Sequence, residues 1–175
     1  MDIAKETIVD YVTGREVPNA GAEANRQELE RFLVETKGYA GEEIEVDAPI
    51  TLDMGEERYH SYVDLVVNVK GWRYLAVKCA AGSLASRERE IIAAARLLDE
   101  YQIPLAVASD GRTAIVWDVI SGDKLGDGLD AIPSRQEAER SLDPQRLLPL
   151  GEPRRKRQQL IFRSYDSMNV HRRSE

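Results

Sequence analysis

Two apolar segments on either side of Lys70-Gly71 constrain the fold of this chain more than any other feature. Residues 58–69 and 72–79 are rich in Val, Leu and Tyr, and the dipeptide between them is typical of a tight turn. The pattern predicts a β-hairpin with Asp64 on one strand and Lys78 on the other, each between apolar residues. Buried charges are costly unless they are paired. Asp64 is therefore expected to have a partner, and one interpretation is a purely structural ion pair with Lys78.

The rest of the chain alternates between helical and strand patterns. The order is two helices, three strands, one helix, two strands and two helices, which predicts an α/β fold with a mixed β-sheet flanked by helices. The predicted helices are residues 2–13, 22–37, 84–101, a short helix that begins at a capping box at Ser134, and 154–169. The predicted strands are residues 43–52, 58–69, 72–79, 104–109 and 113–119, and residues 121–133 are expected to form a loop.

Length and composition indicate one soluble domain. The 175 residues hold no apolar run long enough to span a membrane, no secretory signal pattern and a single Cys. We expect a cytoplasmic protein without membrane contact, built from an α/β domain over residues 1–150, with its core at 22–120, and a basic helix or tail over 151–175.

Charge is distributed unevenly along the chain. The net charge is −7, although the segment from Glu152 to the C-terminus carries +4. Its basic residues can contact DNA phosphates or an acidic protein partner, or simply form a solvated helix face. The candidate nucleic-acid contacts are Arg154, Arg155, Lys156 and Arg157.

Three segments, taken in their order along the chain, resemble the corresponding segments of a known family. Residues 23–39 read as a Glu-rich helix that ends in Lys-Gly-Tyr, residues 44–50 lead into the strand with Asp64, and residues 103–117 read as strand, Gly turn and Trp-bearing strand. Together with the hairpin, these segments resemble the N-terminal domain of type I restriction enzyme R subunits, of the PD-(D/E)XK nuclease superfamily. The resemblance implies a restriction-endonuclease-like fold.

The resemblance also implies roles for individual residues. In such nucleases an Asp and a second acid on the next strand hold a divalent metal ion, here Mg²⁺, which activates water against a phosphodiester. The resemblance gives Asp64 the role of metal ligand and Lys78 that of positioning the water. A helix carboxylate, Glu23 or Glu28, completes the site, although a solvated surface position is the ordinary expectation for either.

The chain departs from the family pattern at the second acid. The triplet before the end of the second strand reads Ala76-Val77-Lys78, with Ala in place of the acid. A shifted alignment places Val77 at the acid and Cys79 at the lysine, so it does not restore a carboxylate. The family also often has a Gln in the next helix, where this chain has Ile91-Ile-Ala-Ala-Ala95. The motif is therefore degenerate, and Mg²⁺ is expected to bind weakly or not at all.

The hairpin register decides whether the two charged residues meet. Side chains alternate between sheet faces, so a regular two-residue turn that pairs Val69 with Trp72 places Asp64 opposite Val77. A three-residue loop or a β-bulge shifts the pairing by one residue and brings Asp64 to Lys78. We favour the bulged register, because it keeps a Lys where the family has one. His60 is a further ligand candidate on the strand of Asp64, although an exposed His is the simpler interpretation.

Two functional hypotheses follow. The first is a metal-dependent nuclease that acts on DNA through Asp64, Lys78 and Glu23 or Glu28. The second is a noncatalytic module on a nuclease fold that binds nucleic acid or serves in protein interaction or assembly. The absent acid favours the second.

Overall fold

The computed structural model describes residues 6–173, with side chains as far as Met168. The helices are α1 Glu23–Glu35, α2 Glu88–Leu97, α3 Arg135–Ser141 and α4 Arg154–Arg173. The strands are β1 Thr7–Val9, β2 Glu16–Pro18, β3 Ile44–Asp53, β4 Arg58–Val69, β5 Trp72–Cys79, β6 Leu105–Ser109, β7 Ala114–Asp118 and β8 Lys124–Asp127.

A six-stranded mixed sheet in the order β3-β4-β5-β6-β7-β8 forms the centre of the fold. Strands β5 and β6 run parallel, connected through α2, and the other neighbouring pairs are antiparallel. Helices flank the sheet on both faces. The structure confirms the predicted restriction-endonuclease-like architecture of a mixed sheet flanked by helices.

Two apolar cores lie on opposite faces of the sheet. We call these the α2 face, which is covered by α2 and α4, and the α1 face, which is covered by α1 and α3. The alternation of side chains along β5 sends Ala76 to the α2 face and Val77 to the α1 face. Lys78 therefore lies on the side of α2.

The hairpin of β4 and β5 has the bulged register. Lys70 and Gly71 both have positive φ, 51° and 80°, as a two-residue type I′ turn requires. Val69 pairs with Trp72, yet the register shifts beyond Asn68, so that Leu65 pairs with Val77. Tyr74 is the extra residue, and the next positions along the strands, Asp64 and Lys78, face each other. The predicted register is confirmed.

The C-terminal helix packs against the domain. In α4, Phe162 is buried in the core of the α2 face and contacts the ring of Tyr59 edge-on. The hydroxyl of Tyr59 also donates a 2.6 Å hydrogen bond to the carboxylate of Asp166. The predicted capping box is present as well, at Ser134 and Glu137 at the start of α3. No helix within residues 6–173 is long and apolar enough to cross a membrane.

The predicted helix over residues 2–13 is wrong where the structure describes it, because residues 7–9 form β1 and pair with β2. Residues 2–5 lie outside the described part. Thr7, Ile8 and Val9 are all β-branched, which favours a strand over a helix. The carboxylate of Asp10 then accepts hydrogen bonds from the amides of residues 12 and 13 and stabilises the turn that follows.

Two further boundaries differ from the prediction. The helix expected over residues 84–101 is shorter, because a 3₁₀ turn precedes α2 and α2 ends at Leu97. The loop expected over 121–133 contains the edge strand β8, which pairs with β7. Residues 124–127 include a Gly and an Asp that disfavour strands, so backbone pairing at the sheet edge overrides local preference there.

Candidate functional site

Asp64, Lys78, Arg87 and Glu90 form a buried charged group on the α2 face, here called the Lys78 cluster. The ammonium Nζ of Lys78 lies 3.8 Å from Oδ2 of Asp64 and 3.5 Å from Oε1 of Glu90. Nη1 of Arg87 lies 3.8 Å from the other oxygen of Glu90. The side chains of Asp64 and Glu90 are only 5% and 3% exposed. The cluster thus places two buried carboxylates beside the ammonium of Lys78, with the 20% exposed side chain of Arg87 at its edge.

Three elements position this cluster. Strands β4 and β5 supply Asp64 and Lys78 through the bulged register, and the first turn of α2 supplies Glu90. The backbone amide of Cys79 donates a 2.8 Å hydrogen bond to Oδ2 of Asp64 and fixes its carboxylate at the end of the strand pair. The predicted pair of Asp64 and Lys78 is therefore brought together, with a helix carboxylate beside it.

The space next to the Lys78 cluster is small. A crevice of about 10 Å³, bordered by Val63, Ile91 and Phe162, adjoins the charged groups of Asp64, Lys78 and Glu90. A volume of roughly 10–15 Å³ is needed for one water molecule. The crevice therefore has room for a single water at most.

The charged groups do not suit a resident divalent cation. Mg²⁺ requires oxygen ligands at about 2.0–2.1 Å, usually with several waters. Here the crevice beside Asp64 and Glu90 is too small for a metal ion together with its waters. Within residues 6–168, no group of three or more His, Cys, Asp or Glu side chains is arranged to hold a metal ion. Neither candidate position for the lost acid supplies an oxygen ligand. Ala76 contributes a methyl group to the α2 face, and Val77 contributes an isopropyl group to the α1 face.

Glu23 belongs to a different group, on the α1 face, here called the Arg26 cluster: Asp10, Glu23, Arg26 and Asp47. The guanidinium of Arg26 lies 2.7 Å from Glu23 and from Asp47, and 3.9 Å from Asp10. Its side chain is 6% exposed. Burial opposes the charge of Arg26, but Asp47 and Glu23 outweigh it and raise the pKa of the guanidinium. Glu23 thus neutralises Arg26 in the structure.

Glu30 is buried next to the Arg26 cluster. It is fully inaccessible, and neither carboxylate oxygen has a partner within ordinary hydrogen-bond geometry, although Asp10 and the Val12 amide lie close enough to affect its pKa. Burial and the negative charge of Asp10 raise the pKa of Glu30 to about 8. Burial acts in the same direction on Asp10, but hydrogen bonds from Gln27 and from the Thr13 amide lower its pKa. At neutral pH, Asp10 is therefore ionised while Glu30 keeps its proton.

The remaining predicted site residues lie on the surface. Glu28 is exposed on α1, and its side chain packs against the turn at Gly111. His60 is also exposed, and its Nδ1 shares a 3.0 Å hydrogen bond with the hydroxyl of Thr51. Both side chains therefore have structural neighbours other than Lys78.

The four basic candidates occupy the first turn of α4. Arg154, Lys156 and Arg157 are exposed, and Arg155 is half-buried at an open cleft beside Arg73. Within the described side chains, none of the four forms a salt bridge. Their positive charges are therefore available to a ligand.

Sequence reasoning missed Arg26, Glu30, Arg87 and Glu90. Burial of Glu90 could have been suspected, because Glu90 shares one helix face with Ala94 and Leu97. These two apolar residues lie one and two turns further along α2 and are buried. It also immediately precedes the residues considered for the family's helix Gln. Arg26 and Glu30 share one face of α1 with buried Leu29 and Leu33, but charged residues on a helix are usually solvated.

One of three comparisons with known proteins gives a match. A family model described as type I restriction enzyme R protein N terminus matches residues 21–133, which is well over half of the chain. The matched region contains α1, the six-stranded sheet, the Lys78 cluster and all of the Arg26 cluster except Asp10. No curated protein and no solved structure matches the chain.

Proposed function

Because the chain belongs to the family of type I restriction enzyme R protein N-terminal domains, we propose that it is a noncatalytic module that binds DNA. We further assign it to the PD-(D/E)XK superfamily with a degenerate motif. The pairing of Asp64 with Lys78 supports this assignment, since these are the two motif residues that remain.

One observation carries the loss of catalysis. The ammonium of Lys78 lies within 3.8 Å of both buried carboxylates, while the motif acid is replaced by Ala76. Phosphodiester hydrolysis in such a site needs a metal ion that activates water and neutralises the charge building up on phosphate. The site has Ala76 in place of one motif carboxylate and room for a single water at most, so binding is the function left to the domain.

We expect no cleavage when supercoiled plasmid is incubated with the protein and Mg²⁺ or Mn²⁺. The measurement is the conversion of supercoiled plasmid to nicked or linear forms on a gel. Asp64→Asn is the matched control, because it keeps the size of the side chain and removes its charge. Mn²⁺-dependent cleavage by the wild type that disappears in Asp64→Asn would show that the domain is a working nuclease.

The first turn of α4 supports DNA as the ligand. Its four basic side chains form no salt bridge within the described residues, and Lys and Arg contacts to phosphate supply most nonspecific DNA affinity. The chain outside the C-terminal segment carries a net −11, taken from the total of −7 and the segment's +4. Phosphate contact is therefore confined to this turn rather than spread over the surface.

Replacing all four basic residues by Gln should weaken duplex DNA binding about tenfold and reduce its salt dependence. Each lost phosphate contact lowers the slope of log K against log salt by about 0.9. Fluorescence anisotropy between about 50 and 200 mM salt measures both effects. The matched control replaces four exposed basic residues elsewhere by Gln, which gives the same net charge: Arg31, Arg89, Arg112 and Arg140.

Equal losses in the two quadruple variants would contradict an α4 interface. The absence of any DNA binding by the wild type would favour the alternative of a protein-interaction or assembly module. Exposed Leu160 and Met168 follow Arg157 along α4 and favour a partner with an acidic and apolar surface under that alternative.

A further inference from the structure

The N-terminal hairpin, which consists of β1, β2 and the turn between them (residues 7–18), lies outside the region that the family model matches. That match begins at residue 21. The two strands form a separate two-stranded sheet rather than an extension of the central one. A two-stranded hairpin is at best marginally stable by itself in water. The order of this hairpin therefore depends on how it is held against α1.

A buried polar contact holds the hairpin in place. Asp10, at 1% exposure, is the one buried residue among residues 6–20. Its Oδ2 accepts a 3.0 Å hydrogen bond from the side-chain amide of Gln27, whose oxygen accepts a 2.6 Å bond from the backbone amide of Tyr11. Val12 adds a partly buried apolar contact with the core of the α1 face. Docking of the hairpin thus depends mainly on the polar groups around Asp10.

Glu30 lies on α1 at this contact. Asp10 and the Val12 amide approach it from the hairpin, and its carboxyl group is fully inaccessible. An ionised carboxylate is much more costly to bury than a neutral carboxyl group, because it loses its hydration. Once the hairpin moves away, water can reach Glu30 and hydrate either form. Docking therefore requires a proton on Glu30.

The other charged and titratable groups around Glu30 do not replace this proton. Asp10 faces it from the hairpin and opposes its ionisation, whereas Arg26 on its own helix favours ionisation. On β5, burial raises the pKa of the Cys79 thiol, which is therefore neutral. Arg26 already neutralises two other carboxylates, those of Glu23 and Asp47. Protonation is thus the means by which Glu30 becomes neutral in the docked state.

We propose that the N-terminal hairpin is released from α1 as a unit when Glu30 loses its proton, while the sheet and the helices on it stay folded. Burial and the charge of Asp10 raise the pKa of Glu30 to about 8 in the docked state, from an ordinary value of 4.5. The docking constant is therefore level below about pH 4.5, falls about tenfold per pH unit towards pH 8, and is level again above it. The inference is independent of DNA binding and of the Lys78 cluster.

Hydrogen–deuterium exchange of the full chain, followed by mass spectrometry between about pH 6 and 8, tests this release. Exchange rates are corrected for the intrinsic effect of pH on amide exchange. Protection of the hairpin, including the Tyr11 amide bound to Gln27, should fall about tenfold per pH unit. Peptides from β4 and β5 in the same samples should keep constant protection over this range.

Two variants separate the proton on Glu30 from other contacts of the hairpin. Glu30→Gln keeps the size of the side chain and has no proton to lose, so hairpin protection should become independent of pH. Glu35→Gln is the matched control, because Glu35 is exposed on α1 and accepts a 3.2 Å hydrogen bond from the hydroxyl of Tyr11. It should lower hairpin protection by a similar factor at each pH and keep the pH slope of the wild type.

Three results would overturn the inference. Constant hairpin protection in the wild type would mean that Glu30 does not control docking, and this measurement needs no variant to fold. Equal loss of protection in the hairpin and in β4 and β5 would mean that the whole domain opens. A pH slope that persists unchanged in Glu30→Gln would assign the effect to another group.

Discussion

Glu30→Gln should stabilise the protein at pH 8 by about 2–4 kcal/mol and have almost no effect near pH 4. Burial and Asp10 raise the folded-state pKa of Glu30 to about 8, above its ordinary value of 4.5. Folding then requires Glu30 to take up a proton when the pH lies between the ordinary value of 4.5 and the folded-state value of about 8. Each unit of pKa difference corresponds to about 1.4 kcal/mol.

The sign of this effect follows from the raised pKa of an acid. Stability is complete below about pH 4.5, falls as the pH rises towards about 8, and levels off above that value. Gln has no proton to take up, and its amide can donate to Asp10. The gain from Glu30→Gln therefore grows between pH 4.5 and 8.

Urea unfolding at several pH values measures this difference. Glu28→Gln is the matched control, since Glu28 is exposed on the same helix. It should change stability by less than about 0.5 kcal/mol at every pH. A Glu30→Gln effect that stays constant from pH 4.5 to 8 would mean that Glu30 is ionised in the folded protein.

Arg26→Met should destabilise the protein by about 3 kcal/mol, which lowers the melting temperature by roughly 5–10 °C. Met retains much of the apolar stem but leaves Glu23, Asp47 and Asp10 without their shared cation. Removing one partner from a buried ionic group is costly, because the opposite charges stay buried. Asp47 is half-exposed, so the cost lies at the lower end of the usual range.

Arg31→Met is the control for this prediction, because Arg31 is exposed on the same helix and stacks over the ring of Tyr11. We expect it to cost less than about 1 kcal/mol. Thermal unfolding of both variants at one pH and salt concentration makes the comparison. Equal losses of stability would mean that the Arg26 cluster is a solvated surface network without a buried ionic role.

Much of the sheet could be predicted from sequence, because its central strands have strong local patterns. The Lys70-Gly71 turn and the apolar runs on either side gave β4 and β5 their observed ends. The family resemblance then favoured the bulge that joins Asp64 to Lys78. Strands β1, β2 and β8 were missed, since each is short and pairs through the backbone with a partner that no side-chain pattern reveals.

The charged clusters were harder to predict, because burial of a charge depends on what packs above it. Glu90 and Arg26 look like ordinary surface residues of charged helices in the sequence. They become buried only when α2 and α1 dock on opposite faces of the sheet. Glu23 had been placed at the Asp64 site by resemblance, whereas the structure gives it Arg26 as its partner.

The extra residue Tyr74 has a consequence for comparing this chain with its relatives. A hairpin one residue shorter, without the bulge, would form the same turn pair of Val69 with Trp72 and the same pair of Asp64 with Lys78. The number of residues between the aspartate and the lysine can therefore change by one while the two side chains still meet. An alignment with a relative that lacks the bulge needs a one-residue gap in β5; without the gap, an alignment anchored at Asp64 places Val77 rather than Lys78 at the position of the lysine.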